Sequence, residues 1–297
     1  MRIHRFSSIA AVVIAATAVL AADTAPSVVG DVREYYVASG DTLGLVAAKF
    51  GIEAAVLARD NGLTTSARLK AGDTLEIDNR HIVPPGVSDG IVINLPQRRL
   101  FVFRAGSLET SYPVAVGSGG WRTPTGEFSV RIKEMHPTWD VPKSIQNEMA
   151  QKGKPVLTKV APGPDNPLGS RWIGLTQTIG IHGTNAPASI FKYATHGCIR
   201  MAPENVEMLF EQIEVGDTVS IIYQPVLAAR DDDEVFVEVH GDPYKRGGST
   251  RSAIEQALAM LGASDLAAHA SVDGMLKARE GRARSLTAAV AASQGSR

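Results

Sequence analysis

The stretch Ile179-Gly180-Ile181-His182-Gly183-Thr184-Asn185, closed downstream by Thr195-His196-Gly197-Cys198-Ile199-Arg200-Met201, decides how the rest of the chain is read. It holds the only cysteine of the protein, with one histidine two residues before it and another sixteen before it. A thiol is a strong nucleophile only as its thiolate, so a catalytic cysteine needs a nearby base and an electropositive, partly open setting. Ile179 and Ile181 alternate as in a strand and Gly183 suits a turn, which puts His182 at a strand end from which it can reach a neighbouring loop. That is the position of a general base. Gly197 removes the side chain before the nucleophile and frees backbone N–H groups for an oxyanion. Arg200 adds a fixed positive charge able to lower the thiol pKa or to pair with a substrate carboxylate. A lone cysteine is ordinarily a small buried hydrophobe. The flanking His-Gly-Thr-Asn and His-Gly-Cys-Ile-Arg-Met segments turn the reading to catalysis.

These paired segments closely resemble the signature of the YkuD-type L,D-transpeptidases, bacterial cell-wall enzymes, in which His-Gly-Thr is followed by Ser or Thr, a variable residue, then Gly-Cys and Arg or Asn. The resemblance makes Cys198 the nucleophile and His182 the proton donor and acceptor. It makes the Gly183 backbone the group that orients the imidazole, and Gly197 part of the oxyanion region. Arg200, His196, Thr195 and Thr184 are the expected substrate contacts, with His196 secondary because the family tolerates other residues there. No metal or organic cofactor is implied.

Working outward, Thr123-Pro124-Thr125-Gly126-Glu127-Phe128 again resembles the same family. Gly117-Ser118-Gly119-Gly120 is a loop, since no Lys-Ser or Lys-Thr follows it as a phosphate cradle requires. Strands are predicted over 91–95, 100–103 and 110–116, the first two forming a hairpin at Gln97-Arg98. Between Lys133 and Arg171 lies an insertion of low strand content with a short polar helix near 144–152. A long loop of this kind beside a site often walls the substrate, and Trp139 is the candidate lining residue. Pro203 opens a helix whose Val206, Leu209, Phe210 and Ile213 share one face, behind the catalytic stretch. A strand over 218–223 follows. The expected fold class is mostly β: a YkuD-like β-sandwich over 90–223 with one supporting helix.

Upstream, a strand at Tyr35-Tyr36-Val37, helical spacing at Leu43, Val46, Ala47 and Phe50, a second short helix over 54–59 and a strand over 74–77 make a βααβ unit. The Tyr35 to Leu43 and Asn61 to Leu63 patterns resemble a LysM module over 34–78. That resemblance implies binding of N-acetylglucosamine-containing glycan at an edge formed by Gly40, Asp41, Thr42 and Asn61. A Pro84-Pro85-Gly86 linker separates the two units. Together they are similar to the periplasmic ErfK/YbiS/YcfS/YnhG group.

The first residues carry Arg2, His4 and Arg5 ahead of the apolar run 9–20, with small residues at Ala21-Ala22, and read as a signal peptide over 1–22. Export to the periplasm is the expected localisation. Thirty basic against thirty-one acidic residues give a net charge of -1, so there is no electrostatic footprint for nucleic acid. With one cysteine no intramolecular disulfide is available. Residues 224–297 are rich in Ala, Ser, Gly and Arg and read as a partly disordered extension with helices near 252–261 and 272–278. The expected partner is peptidoglycan, through its tetrapeptide stems and glycan, with a lysine of an outer-membrane lipoprotein as an alternative acceptor. The same site could serve an L,D-carboxypeptidase or amidase, and a non-catalytic LysM wall-binding protein is the reading from another class.

Overall fold

Short apolar runs punctuated by turn residues build three units in chain order. The computed structural model describes residues 27–295, and the signal peptide expected over 1–22 lies outside the described residues. In the first unit β1 (Val28–Val29), β2 (Val32–Tyr36), α1 (Leu43–Phe50), α2 (Ala54–Asp60), β3 (Thr74–Asp78) and β4 (His81–Ile82) follow one another. β2 pairs antiparallel with β3, giving the βααβ order expected. Thr42 caps α1 by accepting the Leu45 N–H at 3.2 Å, and Gly51, at φ +68°, ends it. The apolar stripe of α1, Leu43, Val46 and Ala47, then closes on Leu57, Leu75 and Ile77.

The second unit contains β5 (Gly90–Asn94), β6 (Arg99–Arg104), β7 (Ser107–Gly117), β8 (Gly126–Ser129), β9 (Ile132–Met135), β10 (Trp139–Asp140), α3 (Lys143–Gln151), β11 (Lys159–Val160), β12 (Arg171–Gly174), β13 (Gly180–His182), β14 (Tyr193–Thr195), β15 (Ile199–Met201), α4 (Pro203–Gln212) and β16 (Thr218–Ile222). One sheet runs β8-β16-β5-β6-β7-β15-β13-β12-β9, with β14 added alongside β7. It curls until β8 and β9, neighbours in sequence, stand at its two ends. Ile91, Val102, Val114, Ile181 and Ile199 share one core with Val206 and Leu209 of α4, so the helix supports the catalytic strands from behind. Leu209 is fully buried. β13 and β15 run parallel at the centre of this arrangement.

Residues after 224 differ from the partly disordered extension expected. β17 (Val226–Asp231), β18 (Glu234–Val239) and β19 (Ala283–Ser285) form an antiparallel sheet. α5 (Thr250–Met260), α6 (Ala270–Ala278) and α7 (Leu286–Gly295) pack on it around Val235, Val237, Ile254, Leu258, Val272 and Leu286. The Ala- and Ser-rich composition dilutes the apolar signal. Its few large residues meet only because β18 gathers them across some fifty positions of chain.

The units are packed against one another. Arg98 pairs with Glu53 at 2.7 Å and lies 4.0 Å over the Phe191 ring, while Ala48 of α1 shares a small core with Ala115, Ile190 and Ala202. Arg282 of the third unit reaches Asp60 at 2.6 Å and Asp78 at 3.4 Å. Among the described residues no helix is long and apolar enough to cross a membrane.

Candidate active site

His182 ends β13 beside Arg200 of β15, its register partner on the parallel strand. Partners in register share a face of the sheet, and residues two apart on a strand do too. Cys198 lies in the bend just before β15, two residues ahead of Arg200, and its thiol reaches back toward the start of β13. The Gly180 N–H points at the thiol, and the thiol donates to the Thr178 carbonyl at 3.4 Å. Gly197 has φ +109°, a conformation that suits glycine, and a Cβ there would come within 3.1 Å of Ile179 Cδ1. The nucleophile loop thus needs this glycine for its shape and for its close seat against β13.

His182 is almost fully buried, and its Nδ1 lies 2.7 Å from the Gly183 carbonyl. A carbonyl only accepts, so Nδ1 carries the proton and Nε2 is left as the basic nitrogen. Trp172, opposite His182 on β12, stacks behind the imidazole with ring centres 6.1 Å apart. Burial, assisted by the Arg200 charge, pushes the His182 pKa down to about 3. Burial also pushes the Cys198 thiol above its ordinary value, against the opposing pull of the Gly180 N–H and Arg200. Both shifts favour the uncharged forms, a neutral thiol and a neutral imidazole. Arg200 donates to Ser189 Oγ at 2.9 Å, while its buried Nε has no partner among the described residues.

The other expected contacts divide by what already occupies them. Thr195 is buried: its hydroxyl donates to the Cys198 carbonyl at 2.5 Å and accepts the Gly197 N–H at 3.2 Å. It clamps the nucleophile loop, and the Gly197 N–H would have to leave it to serve an oxyanion. Thr184, also buried, accepts the Ala186 N–H at 3.0 Å and fixes the turn after His182. His196 is exposed and faces outward, 2.6 Å from Glu148 of α3 and 5.0 Å from the Trp121 ring. Trp139 pairs with Val160 in the β10–β11 ribbon, and no hydrogen bond or ring contact joins it to His182, Cys198 or their flanking residues among the described residues. The aromatic wall beside the nucleophile loop is Trp121, in the loop after Gly119-Gly120, a residue that sequence reasoning passed over for lack of any local period. In the first unit, Asp41 accepts from the Tyr35 hydroxyl and the Ala38 N–H, and Asn61 bridges Leu57 and Glu76 of α2 and β3. With Thr42 on its cap and Gly40 at φ +88°, all four expected glycan-edge residues also shape the module itself.

The model of the L,D-transpeptidase catalytic domain matches residues 88–221 and that of the LysM domain residues 35–78. YkuD of Bacillus subtilis strain 168 is 32% identical over 194 residues, covering 63% of this chain and 97% of that protein. The chain belongs to the L,D-transpeptidase family.

Among longer relatives of the family, the probable L,D-transpeptidase YbiS of Escherichia coli K12 is 35% identical over 174 residues, 58% of this chain and 57% of that one. The probable L,D-transpeptidase ErfK/SrfK of Salmonella typhimurium LT2 is 34% identical over 180 residues, 60% and 58% respectively. The match thus spans little more than half the length of these relatives. A solved L,D-transpeptidase from Mycobacterium smegmatis aligns at 20% identity and TM-score 0.37, over 44% of this chain and 57% of that one.

Proposed function

We propose that this protein is a periplasmic L,D-transpeptidase acting on peptidoglycan tetrapeptide stems. The observation that carries the reading is the fixed tautomer of His182, with Nδ1–H held by the Gly183 carbonyl and Nε2 left as the basic nitrogen, on the strand paired with the one that follows Cys198. In the proposed reaction Cys198 attacks the amide carbonyl between diaminopimelate and D-Ala, and Nε2 takes the thiol proton. The tetrahedral oxyanion meets backbone N–H groups of the nucleophile loop. Collapse breaks the amide bond, and His182 returns the proton to the departing D-Ala amine, leaving a thioester on Cys198. An acceptor amine then attacks the thioester, His182 removing its proton, and the thiol is regenerated. Arg200, partly exposed and carrying a fixed positive charge on the strand paired with that of His182, suits the carboxylate of the donor stem.

The LysM unit brings glycan to the same molecule, and its firm packing on the catalytic unit suits stems carried by the bound strand. A diaminopimelate amine gives a 3-3 crosslink, and a lipoprotein lysine gives a protein anchor. The test is product mass after incubating the mature protein with a disaccharide-tetrapeptide. Crosslinked dimers lacking one D-Ala support the proposal. Tripeptide without dimer would assign a carboxypeptidase, and unchanged substrate would leave the wall-binding reading.

A further inference from the structure

The family match ends at residue 221, yet the loop that walls the nucleophile is held by a side chain beyond it. Tyr244 is almost fully buried, and its hydroxyl donates to the Gly117 carbonyl at 2.5 Å while accepting the Thr123 N–H at 3.2 Å. The Gly117 N–H in turn donates to Thr123 Oγ1 at 2.9 Å, so the two ends of loop 117–123 are pinned together around one phenol. From this loop the contacts run on to the nucleophile. Ser118 N–H donates to the Thr195 carbonyl at 3.0 Å, and the Thr195 hydroxyl bonds both Gly197 and Cys198. The Trp121 and Arg122 carbonyls stand within 4 Å of where a Gly197 Cβ would be, and the Trp121 ring abuts His196.

Tyr244 is itself delivered by a built turn. The Asp242 carboxylate accepts the Arg246 and Gly247 N–H groups at 3.0 and 2.9 Å and takes a short hydrogen bond from the Tyr223 hydroxyl. That hydroxyl accepts the Tyr244 N–H at 3.1 Å, and the Tyr223 and Tyr244 rings stack 5.4 Å apart. Arg246 adds a bond to Thr125 Oγ1 at 3.2 Å, beside the same loop. A buried phenol hydroxyl needs a partner, and here the partners it takes are the two ends of one loop.

We propose that Tyr244 is a positioning residue for the reaction: a side chain from outside the catalytic domain whose hydroxyl sets loop 117–123, and through Thr195 the Gly197–Cys198 backbone, in the geometry that acylation requires. The proposal rests on the reading of Cys198 as an acylated nucleophile. Full-length wild type, Tyr244→Phe and Thr123→Val are compared for the maximal rate and half-saturating concentration of acylation by a carbapenem, the rate of Cys198 alkylation by iodoacetamide, and the thermal midpoint.

Tyr244→Phe keeps the ring stack and loses only the two hydroxyl bonds. Its maximal acylation rate should fall about ten-fold or more, as misplacement of reacting groups does, with half-saturation and alkylation within about two-fold of wild type. Thr123→Val, which loosens the same loop from the other side, should show the same split, and the double variant should lose less than the product of the two. Acylation of Tyr244→Phe at the wild-type maximal rate overturns the proposal alone, as does an equal loss of alkylation and acylation in both variants. A wild type that is alkylated but never acylated overturns the transpeptidase reading, and this proposal with it.

Discussion

His182 and Cys198 are both displaced from their ordinary titration, and the displacement has consequences that can be measured separately from turnover. With its pKa near 3 the imidazole stays neutral through pH 5 to 8, and the thiol, pushed upward, is protonated over most of that range. The rate of Cys198 alkylation should therefore climb steadily toward alkaline pH, with no limb from an imidazole titrating near 6.5. A plateau beginning near pH 6 would indicate a resting thiolate–imidazolium pair and contradict the geometry described. For stability the sign is fixed by the same shift. The folded His182 pKa lies below the unfolded value of 6.5, so the unfolded chain binds more protons between about pH 3 and 6.5. The contribution is complete above pH 6.5 and is lost as the pH falls toward 3. Lowering the pH from 7 to 5 should cost about 2 kcal/mol through this group, seen as a denaturant-midpoint difference that His182→Asn largely removes.

At the scale of elements, much of the structure is legible wherever a segment meets its own neighbours. The short runs rich in Val, Ile and Phe become β5, β6 and β7 with the predicted hairpin turn, at which Arg98 takes φ +50°. Pro203 opens α4, and the spacing of Val206 and Leu209 places its buried face toward the sheet. The shape of the stretch from His182 to Cys198 is legible for another reason: the chain packs closely at Gly183 and Gly197, and the glycines mark those places. What stays hidden is settled by distant partners. Thr195, Thr184, Asp41 and Asn61 are polar residues whose type is the same whether they face a ligand or a backbone group. In the structure, backbone groups take them. The link of Glu148 to His196 joins α3 to the nucleophile loop across 48 residues, and that of Tyr244 to Gly117 crosses 127. No local period announces either. β19 and α7 escape for a related reason, since three residues and an Ala-rich run become elements only against β18.

For the whole molecule the decisive residue is Glu238, fully buried where the three units meet. Its carboxylate accepts the Ile82 N–H at 2.6 Å and Gln97 Nε2 at 3.2 Å, with His240 Nε2 at 2.7 Å and His81 Nδ1 at 2.8 Å. The other nitrogen of His81 lies 3.1 Å from the Gly51 carbonyl, which ends α1 of the LysM unit. Although burial opposes ionisation, His81 and His240 hold the Glu238 carboxyl below the ordinary carboxylate range. Replacing it leaves several buried donors unpaired, a loss of about 3 kcal/mol or more at the usual cost of about 1–3 kcal/mol for a buried unsatisfied polar group. Because the hub ties β4, the β5–β6 turn and β18 together, Glu238→Ala should lower one shared calorimetric transition. A separate early melt of residues 27–78, or a loss under about 1 kcal/mol, would mean the units are only loosely associated. The packed LysM unit, central sheet and C-terminal unit give the proposed chemistry its setting. The most direct measurement of that central claim is the intact mass of wild type and Cys198→Ala after incubation with a carbapenem. One covalent adduct on the wild type, mapped to Cys198 and absent from the variant, is the predicted result. An adduct of equal yield on both proteins, or none on a wild type whose thiol is free, would contradict it.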